Sequence, residues 1–548
     1  MVIVERRPAS DSIRMQSAPQ VNPWLALAII CVGSFTITLD TTIVNIAVPT
    51  IISGLHASLA QVLWVINGYL LIYAVMLIPA GRLGDMLGQR NMLALGIVVF
   101  TTASAACGLA QDATQLIAFR VIQGFGGALI APQGLAIITA IFPKRRRGAA
   151  MGVFGGITGL AAIGGPILGG WIIATLGWRW IFEINVPVGL IAVIGALLVL
   201  PRFQSGERHS LDPVGVLFLG GGLFALVYGL LEGQKYGWGT ITGWLSIPLL
   251  IGVGIVVLTG FAGWELFHKE GLVPLRLFSS RNYAVGNVTL LCVFFAMMAA
   301  LLPLVLFFQS VLGLTPLATG FALAPMFVGL LVAAPIGGKL VDRLSGKYIL
   351  LAGCLIAGSG LAWIVASVSL SASVQSFIGP LVVTGAGIGL TSGPLFSLIM
   401  AGISKDLTGA ASGFLSASRQ LGMVVGTAVI GAILQNRLAI NMHDQAVQYS
   451  TQLPGALRQR FIDGLSGAVS QGAQQLGRGS HAGPSLPVAI PAALANQLKT
   501  LAHGVFTNGY VQTMRPTLGI GIGVMGLAVL SVLSMANRQA STESESQP

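Results

Sequence analysis

GRLGDMLGQR at residues 81–90 recurs as GKLVDRLSGK at 338–347, and each copy directly follows a long apolar run. The correspondence continues at a slightly larger offset, where Gly124, Gly126, Lys144, Gly148 and Ala149 align with Gly385, Gly387, Lys405, Gly409 and Ala410. A chain that repeats both a polar junction and the glycines downstream of it is an internal duplication. Outward from these junctions lie fourteen apolar runs, beginning with 24–49 and ending with 408–435 and 516–536. Each is long enough to cross a hydrocarbon core of about 30 Å as a helix of about 20 residues.

Composition agrees with that reading. The chain is 54% hydrophobic and 8% charged, with mean hydropathy +0.85, which excludes an ordinary soluble domain. A membrane β-barrel would show alternating segments of about ten residues. These runs are instead continuously apolar, with internal Gly and Pro that packed helices tolerate. The fold class expected is therefore an all-α membrane protein of fourteen transmembrane helices.

Orientation follows from the basic residues, because short cytoplasmic loops collect Lys and Arg during insertion. Arg82, Arg90, Lys144, Arg145, Arg146, Arg147, Lys339, Arg343, Lys347 and Lys405 all fall on one side, together with the polar first 23 residues. Both termini are then expected in the cytoplasm, with the first helix acting as its own insertion signal. The net charge of +12 reads as a topology signal and not as a nucleic-acid footprint. Cys31, Cys107, Cys292 and Cys354 all fall within spans without metal-ligand spacing, so neither disulfides nor a metal site is expected.

The duplication divides the chain into a cytoplasmic tail at 1–23, an N-terminal six-helix bundle at 24–200 and a linker at 201–282 that carries two extra spans without counterpart in the repeat. A C-terminal six-helix bundle at 283–536 and a cytoplasmic tail at 537–548 complete it. Two homologous bundles around a midplane cavity suit alternating access, in which one half rocks against the other. No G-x-x-x-x-G-K-S/T loop is present, so an ion gradient is the expected drive and no cofactor is expected. The segment 436–515 is polar and rich in Gln, Ala and Gly, and Leu457, Phe461, Leu465 and Val469 have helical spacing. It reads as external amphipathic helices that serve as a lid, a docking surface for an envelope partner, or a disordered excursion.

The motifs resemble the major facilitator superfamily, in particular its fourteen-helix drug:H⁺ antiporter branch, across about residues 24–435. LDTTIVNIAVP at 39–49 is similar to that branch's first-helix signature, and GRLGDMLGQR is similar to the superfamily loop between helices two and three. RVIQG at 120–124 resembles the fourth-helix motif, GGPILGG at 164–170 the fifth-helix motif of antiporters, and WRWIFEINVPVG at 178–189 resembles the branch. Ala161 stands where the fifth-helix motif usually has glycine. The resemblance implies a proton-driven exporter of hydrophobic or cationic drugs and toxic compounds in the cytoplasmic (inner) membrane, and not an enzyme. The proton gradient is its drive and small molecules and protons are its partners. Export of an endogenous lipid or metabolite, or a non-transporting receptor or scaffold, are the alternatives.

Asp40 is the sharpest candidate residue, because burial in low dielectric disfavours a charged carboxylate and makes its protonation sensitive to solvation. Its structural alternative is a hydrogen bond to Thr41, Thr42 or a neighbouring helix. Arg120 lies about four residues into the fourth span and requires a carboxylate, carbonyl or water partner, or a snorkelled position. Asp40 is a candidate partner, and the resemblance assigns this arginine to a motif implicated in proton coupling. In the repeat, Leu381 and Thr384 replace Arg120 and Gln123, so proton handling belongs to the first half. Arg419 is the other cation within a span, suited equally to a buried pair or to substrate contact. Glu183 and Glu232 read as interfacial, and no His lies mid-span.

Gly81, Gly84 and Gly88 allow a tight turn, while Asp85 is placed to pair with Arg90 or to cap a helix. The repeat offers Asp342 with Lys339 or Arg343 as a weaker counterpart, and both loops read as a conformational latch. Gly165, Pro166, Gly169 and Gly170 form a gate helix whose small residues permit close interhelical approach, with dimerisation as the alternative use of the same spacing.

Overall fold

The computed structural model describes residues 22–201, 212–233, 235–268, 271–272, 275–341, 344–400, 403, 408–472 and 492–536. The first half contains α1 (Pro23–Leu55), α2 (Leu59–Leu87), α3 (Gln89–Leu109), α4 (Ala113–Ile141) and α5 (Lys144–Thr175), then α6 (Trp180–Glu183) and α7 (Asn185–Val199), which together make one crossing. The two inserted spans are α8 (Pro213–Glu232) and α9 (Ile247–Phe267), joined through a two-stranded hairpin of Thr240–Thr242 and Leu245–Ser246. The second half contains α10 (Arg281–Leu306), α11 (Pro316–Leu340), α12 (Gly346–Ser367), α13 (Gln375–Met400), α14 (Thr408–Ser450), α15 (Gly455–Gly472) and α16 (Ala492–Leu533). Fourteen of these crossings are long and apolar enough to span a membrane.

Local chemistry sets the helix ends. Ser58 and Gln61 form a reciprocal capping box at the start of α2, and Asp112 accepts from the Gln115 amide at 2.8 Å to start α4. A single residue, Gly88, separates α2 from α3 at φ 92°, a conformation only glycine adopts without strain. The face carrying the turns at 88, 143 and 345 is called the basic face below, and the opposite one the far face.

The duplication is visible in packing. A side chain at Gly124 would overlap the Tyr69 carbonyl of α2, and one at Gly385 would overlap the Met326 carbonyl of α11. Gly126 lies against the backbone of Phe100 in α3, and Gly387 against that of Ala357 in α12. Small residues at equivalent positions thus bring α4 and α13 into backbone contact with two neighbours each. The halves meet through α5 against α11 and through α2 against α14. Gly170 packs on Pro316 and Leu317, Gly320 on Pro166, and Gly431 on Leu63. A π-helical turn at Phe307–Val311 places Gln309 so that its side-chain amide donates to the Ile46 carbonyl at 3.0 Å, across the halves.

The membrane helices on either side of 436–515 run further than their apolar runs suggest. Residues up to Ser450 continue α14, and α16 begins at Ala492. Leu438, Met442 and Ala446, four residues apart, are buried, as are Leu498, Leu501 and Val505 of α16. Asn441 donates to Thr513 Oγ1 at 2.9 Å and Asn508 donates to the Tyr449 hydroxyl at 2.9 Å, tying the two extensions together. Only one face of each extension is apolar, which lowers its average hydropathy below that of a span while leaving the helical periodicity intact. The stretch from Gly455 to Gly472 forms α15, and residues 473–491 lie outside the described residues.

Candidate functional site

Asp40 and Arg120 are joined within the first half. Arg120 Nη1 lies 2.6 Å from Asp40 Oδ2, with Arg120 1% and Asp40 0% exposed. The guanidinium has four further contacts: Nε donates to the Val65 carbonyl at 3.1 Å, Nη1 donates to Gln123 Oε1 at 2.8 Å, and its carbon sits 4.1 Å from the Tyr69 ring centroid and 5.7 Å from that of Phe182. Gln123 closes the cycle, donating through Nε2 to Asp40 Oδ1 at 3.0 Å. Both carboxylate oxygens are therefore engaged, in a dry setting where charge-assisted hydrogen bonds are strong and an unpaired charge is costly.

The sequence builds this site by removing bulk. Gly124 sits one residue beyond Gln123, and its contact with the Tyr69 carbonyl draws α4 onto α2. That approach places Val65 and Tyr69, one turn apart on α2, over Arg120. Tyr69 stacks on Tyr73 with centroids 5.9 Å apart. Sequence reasoning missed Tyr69, Val65 and Cys107, whose Sγ lies 3.7 Å from Gln123 Oε1. The signal available was the four-residue spacing of Tyr69 and Tyr73 in an apolar helix; a backbone carbonyl acceptor leaves no trace in sequence.

Asp40 is mechanically linked to the gate helix. Gly165 and Gly169 receive Thr42 and Ile43 of α1 against their backbones, while Pro166 and Gly170 receive Gly320 and Leu317 of α11. One helix thus touches the neighbours of Asp40 on one side and the second half on the other.

Arg419 does not join the Asp40 cluster. It is exposed on α14, with its guanidinium carbon 5.6 Å from the Phe294 ring centroid. The alternative of a buried ion pair is not what the structure shows.

The junction residues act within each half. Arg90 donates to the Leu197 carbonyl in the last turn of α7. Its repeat counterpart Lys347 donates to the carbonyls of Leu533 at 2.8 Å and Met535 at 2.7 Å, at the end of α16. Two cations in the first turns of α3 and α12 thus meet the negative end of the last helix in their own half, where such charges are favoured. Gly84 lies against the Gln133 amide, which donates to the Ala80 carbonyl at 2.7 Å, and Gly81 is 3.8 Å from Pro132. Lys339 is exposed, the side chain of Asp85 is not described, and Asp342 and Arg343 lie outside the described residues. Among the described residues no cluster of His, Cys, Asp and Glu could hold a metal ion.

Residues 30–427 match the model of the Major Facilitator Superfamily. An uncharacterised MFS-type transporter of Mycobacterium tuberculosis is 36% identical over 83% of this chain and 75% of its own. The tetracenomycin C resistance and export protein of Streptomyces glaucescens is 31% identical over 94% of this chain and 91% of its own. Among solved structures, a bacterial homologue of the human lysosomal transporter Spinster, in an inward-facing and occupied conformation, aligns with a TM-score of 0.61. It is 16% identical, covering 94% of this chain and 98% of that one. The chain is a multi-pass membrane transporter of the major facilitator superfamily.

Proposed function

We propose that the protein is a proton-coupled exporter of hydrophobic drugs and other toxic compounds across the cytoplasmic (inner) membrane, working by alternating access with its basic face toward the cytoplasm. The observation that carries the reading is the sealed Asp40–Arg120–Gln123 cycle at 2.6–3.0 Å. An intramembrane ionisable pair is costly and is a functional site by default.

In this reading Asp40 is the residue that takes the proton. While it is ionised, its two oxygens hold Arg120 and Gln123 and thereby fasten α1 to α4. Protonation removes the charge attraction and one acceptor position, leaving Arg120 on Val65, Gln123 and the Tyr69 ring. The loosened α1 then shifts Thr42 and Ile43 against Gly165 and Gly169, and α5 passes the shift to its contacts with Pro316, Leu317 and Gly320. Tight packing makes such interfaces bistable, so a small local change can be amplified into rocking of the halves. The relative named as a resistance and export protein supports the direction of transport.

The test is substrate-stimulated proton movement in vesicles containing the purified protein, compared with Asp40→Asn. Export by the native protein and loss of its pH dependence in the variant are expected. Export with unchanged pH dependence in Asp40→Asn would refute the assignment of the proton to this carboxylate.

A further inference from the structure

The inserted hairpin meets the second half at a half-open cavity of about 400 Å³, lined by Trp238, Asn436 and Arg437 together with Ala432, Ile433, Pro516 and Ile520. All of these residues stand where apolar runs end. Trp238 lies in the connection between α8, which ends at Glu232, and α9, which begins at Ile247. On α14 the apolar run gives out at residue 435, between Ile433 and Asn436, and on α16 it starts at Pro516. The cavity therefore sits at the edge of the hydrocarbon on the far face, with Ala432, Ile433 and Ile520 inside that edge and Asn436 and Arg437 at the polar boundary. Its volume lies within the range of about 300–1,000 Å³ typical of small-molecule sites.

Two features mark it as a built site. Trp238 has φ 58°, in the left-handed region that a bulky side chain rarely adopts. Its amide donates to the Gly233 carbonyl at 2.8 Å, and its ring packs on Gly233 so closely that an added side-chain carbon there would lie 2.8 Å from Cζ3. Such strain persists only where the surroundings impose it, and it concentrates at functional sites. Arg437 is exposed, and its side chain forms no ion pair or hydrogen bond with any described residue. The carboxylate at the end of α8, Glu232, is engaged by Trp64 and Lys235. A free guanidinium and an indole thus rim an apolar floor. Trp244, at the tip of the hairpin, is 83% exposed, which suits an aromatic anchor at headgroup level.

We infer that this cavity binds an anionic phospholipid of the far-face leaflet, its phosphate on the Arg437 guanidinium beside Trp238 and an acyl chain along Ile433 and Ile520. Guanidinium matches phosphate through paired N–H donors, and basic groups at a bilayer surface attract anionic lipid. The bound lipid ties the hairpin to α14 and α16, while the Trp64–Glu232 bond ties the end of α8 to α2 of the first half. The inference involves neither cargo nor proton coupling and stands independently of the export reading.

Native mass spectrometry of the full-length purified protein in detergent, titrated with phosphatidylglycerol or phosphatidylcholine, measures the binding. Phosphatidylglycerol should bind more tightly. Arg437→Gln should weaken it by about tenfold or more, as for loss of a hydrogen bond to a charged group, and Arg437→Lys, which keeps the charge without the paired donors, should retain part of it. Ile433→Trp, which fills the floor and leaves the cation in place, should weaken it as well. Phosphatidylglycerol with brominated acyl chains should quench tryptophan fluorescence, and Trp238→Phe should remove a share of that quenching that brominated phosphatidylcholine does not produce. Equal affinity of the native protein for the two lipids, unchanged phosphatidylglycerol affinity in Arg437→Gln, or a Trp238 share that is the same for both lipids would overturn the inference. Displacement of phosphatidylglycerol by inorganic phosphate would overturn the lipid assignment in favour of a soluble anion.

Discussion

Removing Asp40 should destabilise the protein more than removing Arg120, although the two share one contact. Arg120 is 1% exposed and a guanidinium does not deprotonate at accessible pH, so Asp40→Asn leaves a full buried charge. Breaking a buried pair this way costs about 3–5 kcal/mol. The Val65 carbonyl at 3.1 Å, Gln123 Oε1 at 2.8 Å and the Tyr69 face at 4.1 Å remain as partial compensation. A loss near the low end, about 3 kcal/mol, is therefore expected. Arg120→Leu leaves a carboxylate that escapes by taking a proton, so its cost should be about 1–2 kcal/mol smaller.

The double variant Asp40→Asn, Arg120→Leu should lose only about 1–2 kcal/mol, less than Asp40→Asn alone and well short of the sum of the singles, a coupling of about 3 kcal/mol. The second half supplies a precedent: Leu381, at the position equivalent to Arg120, is fully buried one turn from Phe377, which packs on Phe307 and Phe308. The assay is unfolding by sodium dodecyl sulfate in mixed micelles, followed by tryptophan fluorescence. A larger loss in Arg120→Leu than in Asp40→Asn, or a double variant whose loss equals the sum of the singles, would refute the reasoning.

Three other outcomes are expected. Tyr69→Phe should transport with the native pH profile because it keeps the ring face. Tyr69→Leu should cost about 0.5–2 kcal/mol in the unfolding assay above, because Arg120 loses the ring face that partly compensates its charge; equal stability of the two Tyr69 variants would show that the ring has no electrostatic role. Gly124→Ala should lose about 1–3 kcal/mol in the same unfolding assay because a methyl collides with the Tyr69 carbonyl. Gly156→Ala, with nothing within 4 Å of the added atom, should be neutral or gain up to about 1 kcal/mol. Lys347→Met should cost about 0.5–1 kcal/mol, less in high salt, because it removes the cation from the end of α16; a salt-independent loss would point to packing instead.

Much of this architecture was legible in the chain because lipid restricts what a backbone can do. Every N–H and C=O in the hydrocarbon must be paired internally, so continuous apolar runs can only be helices, and their number follows from counting. The duplication was legible for a related reason: close helix contact demands small residues, so Gly124 and Gly385, or Gly126 and Gly387, mark equivalent backbone contacts in both halves. Asp40 and Arg120 were conspicuous because a charge stands out against an apolar background.

What tertiary structure alone decided is who meets whom. Asp40 and Arg120 are 80 residues apart, and several acceptors in sequence would have satisfied the arginine equally. The approach of α4 to α2 over Gly124 selects among them and adds Val65 and Tyr69. Arg419 shows the converse. Its residue type suited a buried pair or a cargo contact alike, and only the packing of α14 shows it exposed beside Phe294 and apart from the Asp40 cluster. The sequence reads Arg90 as a partner for Asp85 in a latch, and the structure places it, like Lys347, against backbone carbonyls at the end of the last helix of its own half, contacts that side-chain patterns do not reveal. Hydropathy is a property of each segment and survives in one dimension, while an ion pair or a helix cap is a relation between segments and is settled only when they pack.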